Sequence, residues 1–298
     1  MSEQISTDRV VIVTGAGQGI GRAHALAFAA DGASVVVNDY AKEAAQAVAD
    51  EIVAAGGKAV ANGADVADWA AGAELVKTAI DEFGGLDTVV NNAGFVRDRM
   101  LVSLSEDEWD SVVRVHLKGH FVILRHAAEY WRAQSKAGAQ RQARVVNTSS
   151  GAGLFGSVGQ GNYAAAKAGI AELTIQAAAE LGGYGITVNA IAPAARTAMT
   201  MGAGEAMAAQ MAAPEDGSFD AMDPANISPL VVWLGSAQSG DVSGRVFEVE
   251  GGVITALDGW QRAATTDKGA RWEPAEVGPA VAKLIADSPA PVPVYGAR

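Results

Sequence analysis

The sequence predicts an α/β protein built on a doubly wound parallel sheet with helices on both faces. Three observations lead there. From residue 10 onward, short β-branched runs alternate with helical segments, and each run is separated from the next by enough chain for a helical crossover. The first run, Val10-Val11-Ile12-Val13, is apolar at consecutive positions rather than alternate ones, as in a strand buried on both faces. The first run leads straight into a glycine-rich turn and a helix.

Each element has its own signal. Strands are expected at 10–13, 34–37, 58–62, 86–90, 144–148, 186–191 and 245–249, seven in all. The helices between them are expected at 19–30, 41–55, 68–83, 105–137, 162–181 and 224–234. Gly56-Gly57 stops the second helix. Ser105 and Glu108 make a capping box at the start of the long one. Residues 194–223 are rich in Ala, Met and Gly and lie past the C-terminal end of a strand, the place for a loop that covers a ligand. Residues 1–252 therefore read as one domain carrying this lid. Residues 253–298, with one helix at 274–286, read as an extension that packs on its own or a neighbouring subunit.

Composition narrows the function. The 298 residues carry a formal charge of −12 and are 49% apolar, enough to bury a large core and unsuited to a nucleic-acid or anionic membrane surface. The absence of cysteine removes disulfides, thiolate metal sites and a cysteine nucleophile. His116 and His120 are spaced i, i+4 but have no third ligand beside them, so no metal is expected. The polar start, the lack of an 18-residue apolar run and an ending other than Ser-Lys-Leu make a cytoplasmic protein the expectation.

The turn reads Thr14-Gly15-Ala16-Gly17-Gln18-Gly19-Ile20-Gly21. Gly15 permits the tight turn, Gly19 the close approach of a pyrophosphate, and Gly21 the packing of helix on strand, while the helix N-terminus faces the phosphates. This is the dinucleotide-binding arrangement of a Rossmann fold. Asp39, at the end of the second strand, can accept hydrogen bonds from ribose hydroxyls and repel a 2′-phosphate, so the expected cofactor is NAD rather than NADP. Asp65, past the third strand, is a candidate for the adenine amino group or, alternatively, for a helix cap.

Tyr163 and Lys167 share a helix face at i, i+4. A free tyrosine has a pKa near 10, too high for a base at neutral pH. An ammonium about 4 Å from a phenolate contributes roughly 4 kcal/mol at an effective dielectric near 20, or about three pK units before desolvation opposes it, so Lys167 is expected to pull the phenol into working range. Ser149 or Ser150, at the end of the fifth strand, can hold a substrate oxygen beside it.

In order and spacing, the glycine turn, Asn91-Asn92-Ala93-Gly94, Ser150, Tyr163 with Lys167, and Asn189-Ala190-Ile191-Ala192-Pro193 resemble the short-chain dehydrogenase/reductase family over about residues 8–252. Further wording is similar to one branch, the (3R)-hydroxyacyl-CoA dehydrogenase unit of peroxisomal multifunctional enzymes and its bacterial relatives. It includes Val36-Val37-Asn38-Asp39, Arg97-Asp98-Arg99 and Gly159-Gln160-Gly161-Asn162-Tyr163. The resemblance selects Ser150 over Ser149. It implies cofactor contacts from Thr14, Gly15, Gly19, Ile20, Gly21, Asp39, Asp65, Asn91, Ala93, Gly94, Tyr163, Lys167, Pro193 and Thr197. Many members carry asparagine where this chain has His116, supporting a water that relays protons to the lysine; His116 is a candidate for that role or an ordinary interior histidine. Pro193-Ala194 replaces the more common Pro-Gly.

The resemblance implies an NAD-dependent oxidation of a secondary alcohol, first a (3R)-3-hydroxyacyl-CoA and alternatively a 17β-hydroxysteroid. The partners are then a small-molecule substrate and other copies in a homodimer or homotetramer, with no nucleic acid and no membrane. Arg97 and Arg99 are candidates for the CoA phosphates or, equally, for local salt bridges. A non-catalytic dinucleotide sensor or scaffold is the reading from another class.

Overall fold

The computed structural model describes residues 3–201, 208–209 and 211–297. Seven strands run parallel: β1 (Val10–Thr14), β2 (Ser34–Asn38), β3 (Lys58–Asn62), β4 (Thr88–Asn91), β5 (Ala143–Thr148), β6 (Ile186–Ala194) and β7 (Val246–Glu250). Their order is β3-β2-β1-β4-β5-β6-β7. β1 pairs with β2 through Val11↔Val35 and with β4 through Ile12↔Val89, so the winding direction reverses there. In open sheets of this kind, ligands bind beyond the C-terminal strand ends at that reversal.

The consecutive apolar runs are explained by two cores. Val11, Val13, Val35 and Val37 point to one face, with Phe28 and Ile52 of helices α1 (Gly19–Ala30) and α2 (Lys42–Ala54) and with Leu230 of the helix Ser228–Gly235. Val10, Ile12 and Val36 point to the other face, with Leu75 of α3 (Trp69–Phe83) and Trp131. Alternation at period two sends successive side chains to opposite sides, and both sides are apolar. Trp131 is also satisfied as a donor: its Nε1 bonds the Leu86 carbonyl at 2.7 Å.

The sheet departs from the expected seven parallel strands by gaining an eighth. β8 (Val253–Leu257) pairs antiparallel with β7 through Val249↔Ile254. Gly251, at φ 52°, and Gly252 make the hairpin turn. β8 is an edge strand with Val253 and Ile254 mostly exposed, so it lacks the full burial that marks the central strands β1, β4 and β5, and it continues the sheet past residue 252.

The stretch 105–137 is also not one regular helix. Its capping box is present: the Ser105 hydroxyl accepts from the Glu108 amide, and the Glu108 carboxylate accepts from the Ser105 amide. α4 (Glu106–Val113) is joined to α5 (Gly119–Lys136) by a π turn over Arg114–Lys118, a feature often found at functional sites. A short helix α6 (Gly151–Phe155), absent from the sequence reading, precedes α7 (Gly161–Leu181). In the expected lid, Arg196 pairs with Asp220 and its amide donates to Met222, tying the two ends together; residues 202–207 and 210 lie outside the described residues. Among the described residues no helix is long and apolar enough to cross a membrane.

His24 of α1 is fully buried, with Nδ1 2.9 Å from the Ser228 hydroxyl and Nε2 without a partner. Burial pushes its pKa from 6.5 down to about 3. Between those values the unfolded chain binds a proton that the native chain refuses, so stability rises with pH across this window and is lost on acidification. In urea melts at pH 7 and pH 4, His24→Asn should lose less stability on acidification than the parent; equal losses would exclude His24 as a source of acid sensitivity.

Candidate active site

A cavity of about 680 Å³ opens over the C-terminal strand ends, between Asp39 after β2, Asn92 after β4, Ser150 after β5 and Pro193 in β6. The start of α1 enters it at Gly19, Ile20 and Gly21, bringing free backbone amides and the positive end of the helix dipole. Gly15 holds φ 61°, and a Cβ there would come 2.7 Å from the Ala93 Cα. The turn therefore seats directly on the end of β4. Asn92 secures it, donating from Nδ2 to the carbonyls of Thr14 and Gly15 at 3.1 and 3.2 Å.

Two carboxylates stand along this half. Asp39 accepts from the Gly17 and Ala41 amides at 3.0 Å each, which fixes its orientation at the cavity rim. Asp65 accepts from the Ala67 amide at 2.9 Å and from Arg114 at 2.7 Å. Burial opposes its ionisation, but the hydrogen bonds and charge of Arg114 hold its carboxyl below the ordinary range. The cap of α3 is Asp68, not Asp65: its Oδ1 accepts from Ala71 at 2.8 Å.

At the other end, Ser149 and Ser150 separate. The Ser149 hydroxyl donates to the Lys167 carbonyl at 2.8 Å and is buried. The Ser150 hydroxyl caps α6, accepting from Ala152 at 3.2 Å, and Ser150 lines the same end of the cavity as Tyr163. Lys167 Nζ donates to the Thr148 carbonyl at 2.6 Å and lies 5.5 Å from the centre of the Tyr163 ring. The expected depression of the phenol by an ammonium 4 Å away is not what this geometry produces. Burial dominates both groups: it pushes Tyr163 above its ordinary value, and it lowers Lys167 to about 7. With its pKa lowered to about 7, Lys167 is charged in part at neutral pH and lends the phenol less than a full ammonium would.

His116 lies on the π turn beside this group. Its ring meets Tyr163 edge-on, with centroids 5.2 Å apart at 89°. Nε2 lies 2.7 Å from the Phe95 carbonyl and 3.1 Å from the Phe95 amide nitrogen, leaving Nδ1 buried and unpartnered. Burial, and then the charge of Lys167, lowers its pKa to about 3, so the imidazole is neutral. Gly94 is what lets the ring in, since a Cβ there would sit 2.0 Å from His116 Cε1.

Of the residues singled out from the sequence, Gly15, Gly19, Ile20, Gly21, Asp39, Asp65, Ala93, Gly94, His116, Ser150, Tyr163, Lys167, Pro193 and Thr197 all line the one cavity. Thr14 and Asn91 do not. The Thr14 hydroxyl accepts from the Asn92 and Ala93 amides beneath the floor. Asn91 points inward and donates to Asn147 at 3.0 Å, which donates in turn to Thr174 at 2.9 Å, a buried polar chain joining β4, β5 and α7. Sequence reasoning passed over Asn92, Asn162 and Thr148. Asn92 is the first residue off the strand and so faces the turn. Asn162 ties α7 to its surroundings by donating to the carbonyls of Arg97 and Glu108. Thr148 serves through its backbone carbonyl, which no side-chain pattern reports.

The chain belongs to the short-chain dehydrogenase family, whose model matches residues 9–208. It is an oxidoreductase of CH–OH groups and uses a nicotinamide dinucleotide. It is 48% identical over 280 residues to hydroxyacyl-CoA dehydrogenase ChsB1 of Mycobacterium tuberculosis, covering 90% of this chain and 86% of that one. It is 43% identical to the mouse peroxisomal multifunctional enzyme type 2, matching 85% of this chain but only 33% of that longer protein. A crystal structure of a short chain dehydrogenase from Mycobacterium avium is 60% identical, covers 98% of this chain and 100% of its own, and superposes with a TM-score of 0.90.

The fit at Gly94 is open to test. Gly94→Ala should force the His116 ring off its Phe95 hydrogen bond and destabilise the protein by about 1–3 kcal/mol, as overpacking does. Chemical denaturation together with imidazole NMR shifts would show both effects; an unmoved His116 resonance would contradict the contact.

Proposed function

We propose that this protein is an NAD-dependent dehydrogenase that interconverts a secondary alcohol and its ketone, acting on (3R)-3-hydroxyacyl-CoA thioesters. The observation that carries the reading is the meeting of Ser150, Tyr163 and Lys167 at one end of the cavity whose other end holds the glycine turn and Asp39. In this reading the Ser150 hydroxyl holds the substrate oxygen and Tyr163 exchanges the proton with it. Burial keeps the free phenol protonated, ready to donate in ketone reduction; in alcohol oxidation it acts as the base, and a positive charge nearby favours its ionised form. When bound, the oxidised dinucleotide supplies a hydride acceptor and such a charge. Lys167 stabilises the phenolate as it forms. The open Nδ1 of His116 can accept from a water that carries the proton onward.

The cradle fits the cofactor: amides at the start of α1 for the phosphates, and two fixed carboxylate oxygens of Asp39 for ribose hydroxyls. The negative charge of Asp39 disfavours a 2′-phosphate, which supports NAD. The names of the two enzymes above support the acyl-CoA class. So does Arg97, which makes no ion pair among the described residues, whereas Arg99 is engaged by Glu108. A non-catalytic sensor would gain nothing from burying Lys167, whose desolvation works against folding. Trp109, Phe121 and Ile175, all partly exposed on α4, α5 and α7, support assembly into a homodimer or homotetramer. We place the protein in the cytoplasm.

Three measurements test the reading. A panel of (3R)- and (3S)-hydroxyacyl-CoA and 17β-hydroxysteroids, each with NAD and NADP, should show turnover with the (3R) thioesters and NAD. Turnover confined to the (3S) series or to steroids would overturn the substrate, and a preference for NADP would overturn the role of Asp39. Tyr163→Phe should lower kcat by about 10²–10⁴-fold at unchanged dinucleotide affinity. The parent's oxidation rate should rise with pH as the phenol ionises, and a flat profile would remove the base assignment.

A further inference from the structure

We propose that residues 292–297 form a strap that completes the substrate side of this site, with Tyr295 as a positioning residue. The inference rests on the dehydrogenase reading above. The C-terminal helix Pro274–Ala286 has no buried residue, so it does not hold the end of the chain in place. The strap does. The Tyr295 amide donates to the Gly156 carbonyl at 3.2 Å, and the Val158 amide donates to the Tyr295 carbonyl at 2.9 Å, forming a parallel bridge between Ser157 and Tyr295.

The segment it grips is the link between the two residues proposed to touch the substrate oxygen, Ser150 and Tyr163. On its other side that segment is bridged to residue 99: the Arg99 amide donates to the Gly159 carbonyl at 2.7 Å, and Gln160 donates to Asp98 at 3.0 Å. Asp98 and Gln160 line the cavity. The link is thus the middle of three side-by-side segments, and the strap is its outer neighbour.

Tyr295 also clamps α6. Five residues are too few to make a stable helix alone. On its inner side α6 lies against α7, where a Cβ on Gly153 would come 2.6 Å from the Lys167 backbone. On its outer side the Tyr295 ring meets Phe155 edge-on at 6.3 Å and covers Gly151, where a Cβ would sit 2.8 Å from the phenol oxygen. Ser150 is the residue before Gly151 and caps this same helix. Releasing the clamp frees the helix that aims the Ser150 hydroxyl while leaving the glycine turn and Asp39 untouched.

The test compares the full-length parent with Tyr295→Ala, Tyr295→Phe and a variant ending at residue 288. The readouts are kcat and KM for the active alcohol, dinucleotide affinity, and hydrogen–deuterium exchange at the Val158 amide. Tyr295→Ala and the shortened variant should raise the alcohol KM or lower kcat by about tenfold or more, as small displacements of a positioned group do. Val158 exchange should quicken and dinucleotide affinity should stay constant. Tyr295→Phe should behave as the parent, because the ring and backbone make the contacts. Unchanged Val158 exchange on shortening would overturn the docking, and faster exchange with unchanged alcohol kinetics would overturn the positioning role. Loss of dinucleotide affinity in step with alcohol kinetics would also overturn it, by pointing to general unfolding. If the parent oxidises no alcohol at all, the dehydrogenase reading falls, while Val158 exchange still decides whether the strap docks.

Discussion

Lys167 is 2% exposed, and an ammonium taken that far out of water needs a strong partner or it must shed its proton. Both happen here. Nζ bonds the Thr148 carbonyl at the end of β5, and burial brings the pKa down to about 7. Ser149 returns the contact, donating to the carbonyl of Lys167 itself. α7 is therefore pinned to the end of β5 by two crossed hydrogen bonds from adjacent strand residues. Tyr163, one turn earlier on the same helix, is presented by that pin, and His116 and Ser150 are arranged around it.

The rest of the cavity follows from the parallel sheet. Every crossover returns the chain so that strands end on one side, and the side chains and amides released there share a single space. The two ends of that space differ in electrostatic character. Around the glycine turn, free amides face a carboxylate that backbone donors hold rigid. Around Tyr163, burial suppresses charge on the phenol, the imidazole and, in part, the lysine. The phenol proposed to exchange the proton is thereby kept close to neutral.

The chain beyond the sheet divides in the same way between scaffold and site. β8 closes the edge left by β7, and the helix after it buries nothing. The last residues then come back to the link between Ser150 and Tyr163. The glycine turn thus borders one end of the cavity, and Tyr295 packs on the link between Ser150 and Tyr163 at the other.

Periodicity and motif determined much of this in advance. The strands at the centre of the sheet, such as β1 and β2, carry consecutive apolar residues because both faces are covered, and the alternation of short β-branched runs with helices made β3 and β7 legible as well. So were the capping box at Ser105 and the placing of Tyr163 and Lys167 one turn apart on a single helix. β8 was not legible, because an edge strand with an exposed face carries no such signature. The π turn depends on the packing of α4 and α5 rather than on any local propensity. Tertiary structure alone decided that Asn92, not Asn91, faces the cavity side, and it supplied the reason for choosing Ser150, since the Ser149 hydroxyl is spent on the Lys167 carbonyl. It also reversed the expected electrostatics of Tyr163 and Lys167, because desolvation is set by what surrounds a pair, and sequence spacing records only how the two are joined.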